Sequence, residues 1–306
     1  MRQVLLFANP IAGRGQAAAV ATSIAEKLAR RGYRVRSFLS RAESVAWEGP
    51  AEAAIVVGGD GTLRGVVQWA IESASRMCLP QRQGCAMPYP LLLVPMGTAN
   101  LMGNHLGIAW NSDHLPAQVA AALQRHRIVE LDAASTDRGV FLLMAGVGVD
   151  AWIVHELANV RRGAIAGTWT YLGPGLRALA AYPFPRIQVT VDDKLVFPLA
   201  PGAVLVGNIP EYGAGFPILP YARPDDQLLD VCAMPCSSQA QLLNLFISAS
   251  GGAHLGIEGV VYLKGRRVRI DSPDQVPVQV DGEPAGQTPL DIDLLPGRIP
   301  FIVPNR

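Results

Sequence analysis

Residues Ala53 to Val57 form a short apolar run that breaks without transition into Gly58-Gly59-Asp60-Gly61-Thr62. Four or five apolar residues bounded by turn signals suit a strand buried on both faces, and β-branched Ile55, Val56 and Val57 favour strand over helix. A phosphate-binding turn begins where this strand ends. Three glycines within four residues remove the Cβ atoms that keep a polyphosphate away from backbone amides, and they permit positive φ in a tight turn. Asp60 is the one fixed charge in the turn. A carboxylate beside phosphates repels them unless a divalent cation or a substrate proton is present, so its position points to metal-dependent phosphate chemistry. The same residues also make an ordinary Asp-Gly turn between strand and helix, and the local pattern alone leaves both readings open.

The flanking segments extend the α/β pattern. Val4 to Ala8 reads as a buried strand and Asn9 to Gly15 as a loop. A helix follows with Ala17, Val20, Ala21, Ile24 and Leu28 on one face, Arg30 and Arg31 in its last turn and Gly32 as its stop. Tyr33 to Leu39 is a second strand; Ser40 to Pro50 carries no clear pattern. The glycine turn opens a helix reaching about Arg76, with Val66, Val67, Ala70 and Ile71 as its buried face. Strand Leu91 to Val94 ends in Pro95-Met96-Gly97-Thr98-Ala99-Asn100, a second glycine loop at the same end of a parallel sheet. Pro116 to Arg127 closes the unit as a helix, with proline in its first turn.

After Ile128 the period changes from helical to alternating. Arg186 to Asp192, Arg267 to Ile270 and Val276 to Val280 alternate apolar and polar residues, as antiparallel strands with one wet face do. Asp192-Asp193-Lys194 and Lys264-Gly265-Arg266 read as hairpin turns, and Asp281-Gly282-Glu283-Pro284 as a turn carrying two carboxylates. A helix is expected from Ser238 to Ala249. The expected fold is therefore an N-terminal α/β parallel-sheet nucleotide-binding domain over residues 1–130, followed by a mainly antiparallel β-sandwich over 131–306. Whether Ile299 to Pro304 pairs in the second domain or returns to the first is left open.

Composition narrows the function classes. The 306 residues are half hydrophobic, enough for two cores, and Lys plus Arg number 26 against 25 for Asp plus Glu, so there is no electrostatic footprint for general nucleic-acid binding. Cys78, Cys85, Cys232 and Cys236 lack paired C-x-x-C spacing, which argues against zinc and fits free thiols in a reducing cytosol. The apolar start is too short for a signal peptide, and no apolar run reaches the ~18 residues of a spanning helix, so a cytoplasmic protein is expected.

Taken together, the motifs resemble the diacylglycerol kinase catalytic-domain family of lipid kinases, almost end to end. Asn9-Pro10-x-x-Gly13 is similar to the family's first nucleotide loop, Gly58 to Thr62 to its GGDGT motif and Pro95-x-Gly97-Thr98-x-Asn100 to its third loop. Gly146-Val147-Gly148-Val149-Asp150-Ala151, Gly207-Asn208-Ile209-Pro210, Pro224 to Val231 and Asp281-Gly282-Glu283 follow in the family's order. Ordered context is what raises such short motifs above chance.

The resemblance implies transfer of the γ-phosphoryl group of ATP, with magnesium, to a lipid hydroxyl. Amides of Gly58, Gly59, Asp60, Gly61 and Thr62, aided by Thr98 and Asn100 on the Gly97 loop, would hold the phosphates, with Asn9, Pro10 and Gly13 bordering the nucleotide and Ser40 on its adenine side. The proton acceptor comes from Asp281, Glu283 and Asp60, with Glu283 preferred and Asp60 given to the phosphate and magnesium side. In bacterial relatives the aspartate matching Asp226 binds a structural magnesium with main-chain carbonyls, here those of Arg223 and Leu228.

The chain departs from the family at several positions. Gly65 stands where a glutamate is frequent, Leu101 follows Asn100 where aspartate is frequent, and Gln227 replaces a usual glycine. Val160 to Pro185, with aromatic and aliphatic residues among arginines, suits either a bilayer interface or a buried core helix. The expected partners are a lipid alcohol and, transiently, the inner face of a membrane, with no nucleic acid; a homodimer is compatible with this. The alternatives are a kinase of a soluble substrate, similar to NAD kinases, and a non-catalytic lipid- or nucleotide-binding relative.

Overall fold

The computed structural model describes residues 2–39, 49–77, 86–161, 177, 179–212 and 215–305. The chain divides into two compact units, Met1–Ala133 with Leu295–Arg306, and Ala134–Leu294.

In the first unit β1 (Arg2–Ala8), β2 (Tyr33–Phe38), β3 (Ala53–Gly58), β4 (Leu91–Pro95) and β5 (His126–Leu131) share a six-stranded sheet with the C-terminal strand Ile299–Pro304. The order is β2-β1-β3-β4-C-terminal strand-β5. The first four strands run parallel. The C-terminal strand is parallel to β4 and antiparallel to β5, so it returns to this sheet and makes it mixed. Every residue of β3 is buried, as a central parallel strand requires. The helices are α1 (Ala17–Ala29), α2 (Asp60–Met77), α3 (Leu101–His105) and α4 (Leu115–Ala122). α1 buries Ala17, Ala21, Ile24 and Leu28 and stops at Gly32, whose φ is +83°. α4 ends five residues before the expected Arg127. Arg127 lies in β5 opposite Val303, because the returning strand draws His126–Leu131 into antiparallel pairing.

The second unit contains β6 (Ala134–Thr136), β7 (Gly139–Phe141), β8 (Met144–Val147), α5 (Val149–Arg161), β9 (Arg186–Val191), β10 (Lys194–Gly207), β11 (Leu229–Pro235), α6 (Gln239–Ser250), β12 (Val261–Gly265), β13 (Arg267–Asp271), β14 (Pro277–Val280), β15 (Glu283–Gln287) and β16 (Leu290–Leu294). The strands form one eleven-stranded antiparallel sheet. It curls at the 14-residue β10, whose first half pairs with β9 through register shifts and whose second half pairs with β8 and β11. Val189, Ile270 and Ile292 from one layer therefore share a core with Val147, Val204, Val231 and Val278 from the other. One curled sheet thus builds the two-layer core of a sandwich.

Asp192 and Asp193, at φ +46° and +64°, make the expected two-residue hairpin between β9 and β10. Lys264-Gly265-Arg266 is not a hairpin: β12 pairs with β11, whereas β13 pairs with β9 and β16. The segment is a crossover, pinned where Asp192 Oδ1 accepts the amides of Arg266 and Arg267 at 3.0 and 2.9 Å. α6 is capped by Ser238, whose Oγ accepts the Gln241 amide at 3.3 Å. Of Val160 to Pro185, residues 162–176 and 178 lie outside the described residues. Tyr182 is buried and Leu179 and Phe184 pack on the core beside α6, so this part serves the core. Among the described residues no helix is long and apolar enough to cross a membrane.

Candidate functional site

The parallel register of the first sheet brings the glycine loops together. Ala8 lies beside Val57 and Gly58 beside Pro95, so the loops after β1, β3 and β4 leave the same edge of three adjacent strands. Ligands in such sheets bind outside the carboxyl ends of the strands. Here the loops are laced by their own backbone: Gly13 donates to the Met96 carbonyl at 2.8 Å, Met96 to that of Gly58 at 2.8 Å and Asn9 to that of Val57 at 3.2 Å. A Cβ built on Gly97 would lie 2.5 Å from the Gly59 Cα, and one on Gly59 2.9 Å from the Gly97 Cα. Two loops meet backbone to backbone at the N-terminus of α2, leaving no side chain between them. Amides at a helix N-terminus suit phosphate oxygens.

The polar side chains of these loops hold the loops themselves. Asp60 accepts the Leu101 amide on Oδ2 at 2.9 Å and the Met102 amide on Oδ1 at 3.1 Å. Each oxygen keeps a further lone pair, so the carboxylate can still face a cation. Asn100, at φ +50°, closes on a single residue: its Oδ1 accepts the Gly97 amide at 2.7 Å and its Nδ2 donates to the Gly97 carbonyl at 2.9 Å. Asn9 Oδ1 accepts the Ile11 amide at 3.2 Å, and Thr62 packs beneath Gly58. Pro10, Gly61 and Thr98 are exposed. Ser40 lies outside the described residues.

In the second unit Asp281 and Gly282 form a two-residue turn with φ +50° and +78°, the pattern of a tight hairpin. Asp281 is not a solvated tip. Its Oδ2 accepts the Leu142 amide at 3.0 Å, its Oδ1 accepts those of Leu143 and Met144 at 3.0 and 3.1 Å, and its own amide donates to the Met144 carbonyl at 2.8 Å. The buried Asn208, from the Gly207 to Pro210 motif, ties the same segment by donating its backbone amide to the Leu143 carbonyl at 2.8 Å. Glu283, the first residue of β15, is exposed just beyond this clamp.

Two residues without a role in the sequence reading complete the support. Gln279 sits where alternation predicts a wet face, yet it is fully buried, because α5 packs on β14. Its Oε1 accepts the Gly282 amide at 2.8 Å, and its Nε2 donates to Asp150 Oδ2 at 3.0 Å. Asp150 stands in the first turn of α5, and a Cβ on Gly146 would collide with its carboxylate, which explains the glycine four residues earlier. The aspartate within the Gly146 to Ala151 motif was the available signal; Gln279 offered none.

Burial pushes the Asp150 carboxyl up from 3.8 to about 6, against the opposing pull of the Ala151 amide and Gln279. The folded state then holds this proton more tightly than the unfolded state. Its stability is full below pH 3.8 and declines until pH passes about 6, by about 3 kcal/mol in all. Asp150→Asn keeps the Gln279 contact without the charge. The wild-type decline relative to this variant between pH 4 and 6, read from urea midpoints, is the expected result; parallel pH curves would refute the assignment.

The structural magnesium implied for Asp226 does not fit. Asp226 Oδ1 accepts the Leu228 amide at 3.1 Å, and its Oδ2 accepts the ammonium of Lys264 at 2.7 Å. Arg223 lies in the same loop with its Nε 3.3 Å from Asp225 Oδ1. Among the described residues no group of three or more His, Cys, Asp and Glu side chains is arranged to hold a metal ion.

Comparison with known proteins places these units among relatives. Residues 3–136 match the family described as diacylglycerol kinase catalytic domain, and residues 144–303 match the YegS C-terminal NAD kinase beta sandwich-like domain. A diacylglycerol kinase of Mycobacterium tuberculosis (strain ATCC 25618 / H37Rv) is 25% identical over 99% of this chain and 96% of its own. One of Staphylococcus carnosus (strain TM300) is 26% identical over 83% of this chain and 77% of its own. A crystal structure of a diacylglycerol kinase from Bacillus anthracis str. Sterne shares the fold, with a TM-score of 0.65 at 19% identity, covering 99% of this chain and 97% of that one.

Proposed function

Because the chain joins a diacylglycerol kinase catalytic domain to a YegS C-terminal NAD kinase beta sandwich-like domain, we propose that it is a lipid kinase that moves the γ-phosphoryl group of ATP to the hydroxyl of a diacylglycerol-like lipid. The observation that carries this reading is the backbone-to-backbone packing of Gly59 against Gly97 at the start of α2, which joins two glycine loops with no side chain between them. Polyphosphate oxygens can approach the amides of the Gly58–Thr62 turn there, with Gly13 and Asn9 bordering them from the first loop. Magnesium would accompany the nucleotide, neutralising phosphate charge, with Asp60 as the carboxylate on that side.

Glu283 is assigned as the proton acceptor. The lipid hydroxyl oxygen forms the new P–O bond, its proton passes to the Glu283 carboxylate, and the bond to the departing ADP oxygen breaks. Asp281 positions Glu283 rather than acting itself, since its oxygens accept three amides. Most of the rate would come from alignment and charge stabilisation, with the base adding its share. The exposed Leu243, Phe246 and Ile247 on α6, a helix without a charged residue, support contact with a lipid interface.

The test is transfer of labelled γ-phosphate from magnesium-ATP to diacylglycerol, a sphingoid base, ceramide and an isoprenoid alcohol in mixed micelles. Phosphorylation of one of these is expected. Transfer only to a soluble acceptor, or magnesium-dependent ATP binding with transfer to none, would overturn the reading.

A further inference from the structure

The loop that carries Asp226 departs from expectation in its cation. Gln227 takes φ +59°, the left-handed conformation that the usual glycine would adopt. What fills the loop is the ammonium of Lys264, which reaches across from β12. Its Nζ donates to Asp226 Oδ2 at 2.7 Å and to the Tyr221 carbonyl at 3.1 Å, and lies 3.4 Å from Asp230 Oδ2. Asp230 is wholly buried and stands opposite Lys264 in the β11–β12 register. Its other oxygen accepts the Tyr262 hydroxyl at 2.6 Å, and the Tyr221 amide donates to that hydroxyl at 3.3 Å.

Two carboxylates and a main-chain carbonyl are the oxygen donors that a hard cation such as Mg2+ takes. Here they converge on a positive charge supplied by the chain. Lysine suits the place as a compact point charge with three donors on a flexible stem. Burial works against the ammonium, but the bonds and charges of Asp226 and Asp230 outweigh it and raise its pKa.

We infer that Lys264 is the resident cation of this loop, holding Asp226, Asp230 and Tyr221 together in place of a structural divalent metal. The second unit then needs no metal to fold, and any magnesium requirement belongs to the nucleotide alone.

The experiment uses the full chain, nucleotide-free and stripped with EDTA, and reads no activity, so its failure and that of the kinase assignment are distinguishable. Thermal unfolding is followed with EDTA and with millimolar MgCl2 at matched ionic strength, and bound Mn2+ is read by electron paramagnetic resonance. The wild-type midpoint is expected to be the same in both buffers, with only free Mn2+ seen. Lys264→Met strands two carboxylates and is expected to lower the midpoint by roughly 5 °C, with MgCl2 recovering part of the loss in the variant alone. A saturable rise of the wild-type midpoint with Mg2+, one Mn2+ retained per wild-type chain, or an unchanged midpoint for Lys264→Met would overturn the inference. Should Lys264→Met not fold, the two wild-type measurements decide by themselves.

Discussion

Replacing Glu283 by Gln is expected to slow phosphoryl transfer by about 10²- to 10⁴-fold, the share that a positioned base contributes, with ATP binding unchanged. Glutamine preserves the size of the side chain and one acceptor oxygen but cannot take the hydroxyl proton. The neighbouring carboxylate provides the comparison. Asp281 accepts amides from Leu142, Leu143 and Met144, and in Asp281→Asn one of these acceptors becomes an NH2 facing amide donors. That variant should lose activity together with stability, because one or two donors are left without a partner or repelled, depending on which oxygen the NH2 replaces. Steady-state kinetics beside thermal unfolding separate the two. Near wild-type turnover for Glu283→Gln would remove it as the base. A fully stable but inactive Asp281→Asn would move the role to Asp281.

The second large effect is expected from Gly97→Ala. The added Cβ would sit 2.5 Å from the Gly59 Cα and 2.8 Å from Asn100 Oδ1. The first of these is backbone at the end of β3, which cannot rotate aside, so the two loops must separate. Overpacking of this kind costs about 1–3 kcal/mol. The functional loss should be larger, since a displacement of about 1 Å near reacting groups lowers rate by about 10²-fold. ATP affinity, measured by calorimetry, should fall with it. Gly65→Ala is the control: it lies within α2 with open space where a Cβ would go, and should gain up to about 1 kcal/mol in helix propensity with binding intact. Equal ATP binding by Gly97→Ala and wild type would mean that the phosphates do not lie at this contact.

Much of the fold was legible because its signals are local. The apolar run before Gly58, the helical spacing of Ala17, Ala21, Ile24 and Leu28, and the Asp281-Gly282 dipeptide each specify a conformation from a few neighbouring residues. They place strands, helices and turns, and the order of the motifs pointed to the family. They also brought the candidate loops into view, because a glycine-rich turn after a buried strand constrains its own backbone.

What lay beyond reach depends on partners distant in sequence. Nothing in Ile299–Pro304 distinguishes the edge of one sheet from the middle of another; only pairing with β4 and β5 assigns it. That Asp60 also ties the loop after β4 emerges only when Leu101 and Met102, about forty residues on, supply amides to it. Gln279 reads as solvent-facing until α5 covers it and Asp150 meets it. Lys264 looks like a turn lysine until the β11–β12 register sets it against Asp230 and within reach of Asp226. A residue's conformational preference is a property of its near neighbours, so the sequence by itself determined the elements and their turns. Burial, charge pairing and the identity of a resident cation are properties of what the folded chain brings alongside, and only the tertiary structure decided those.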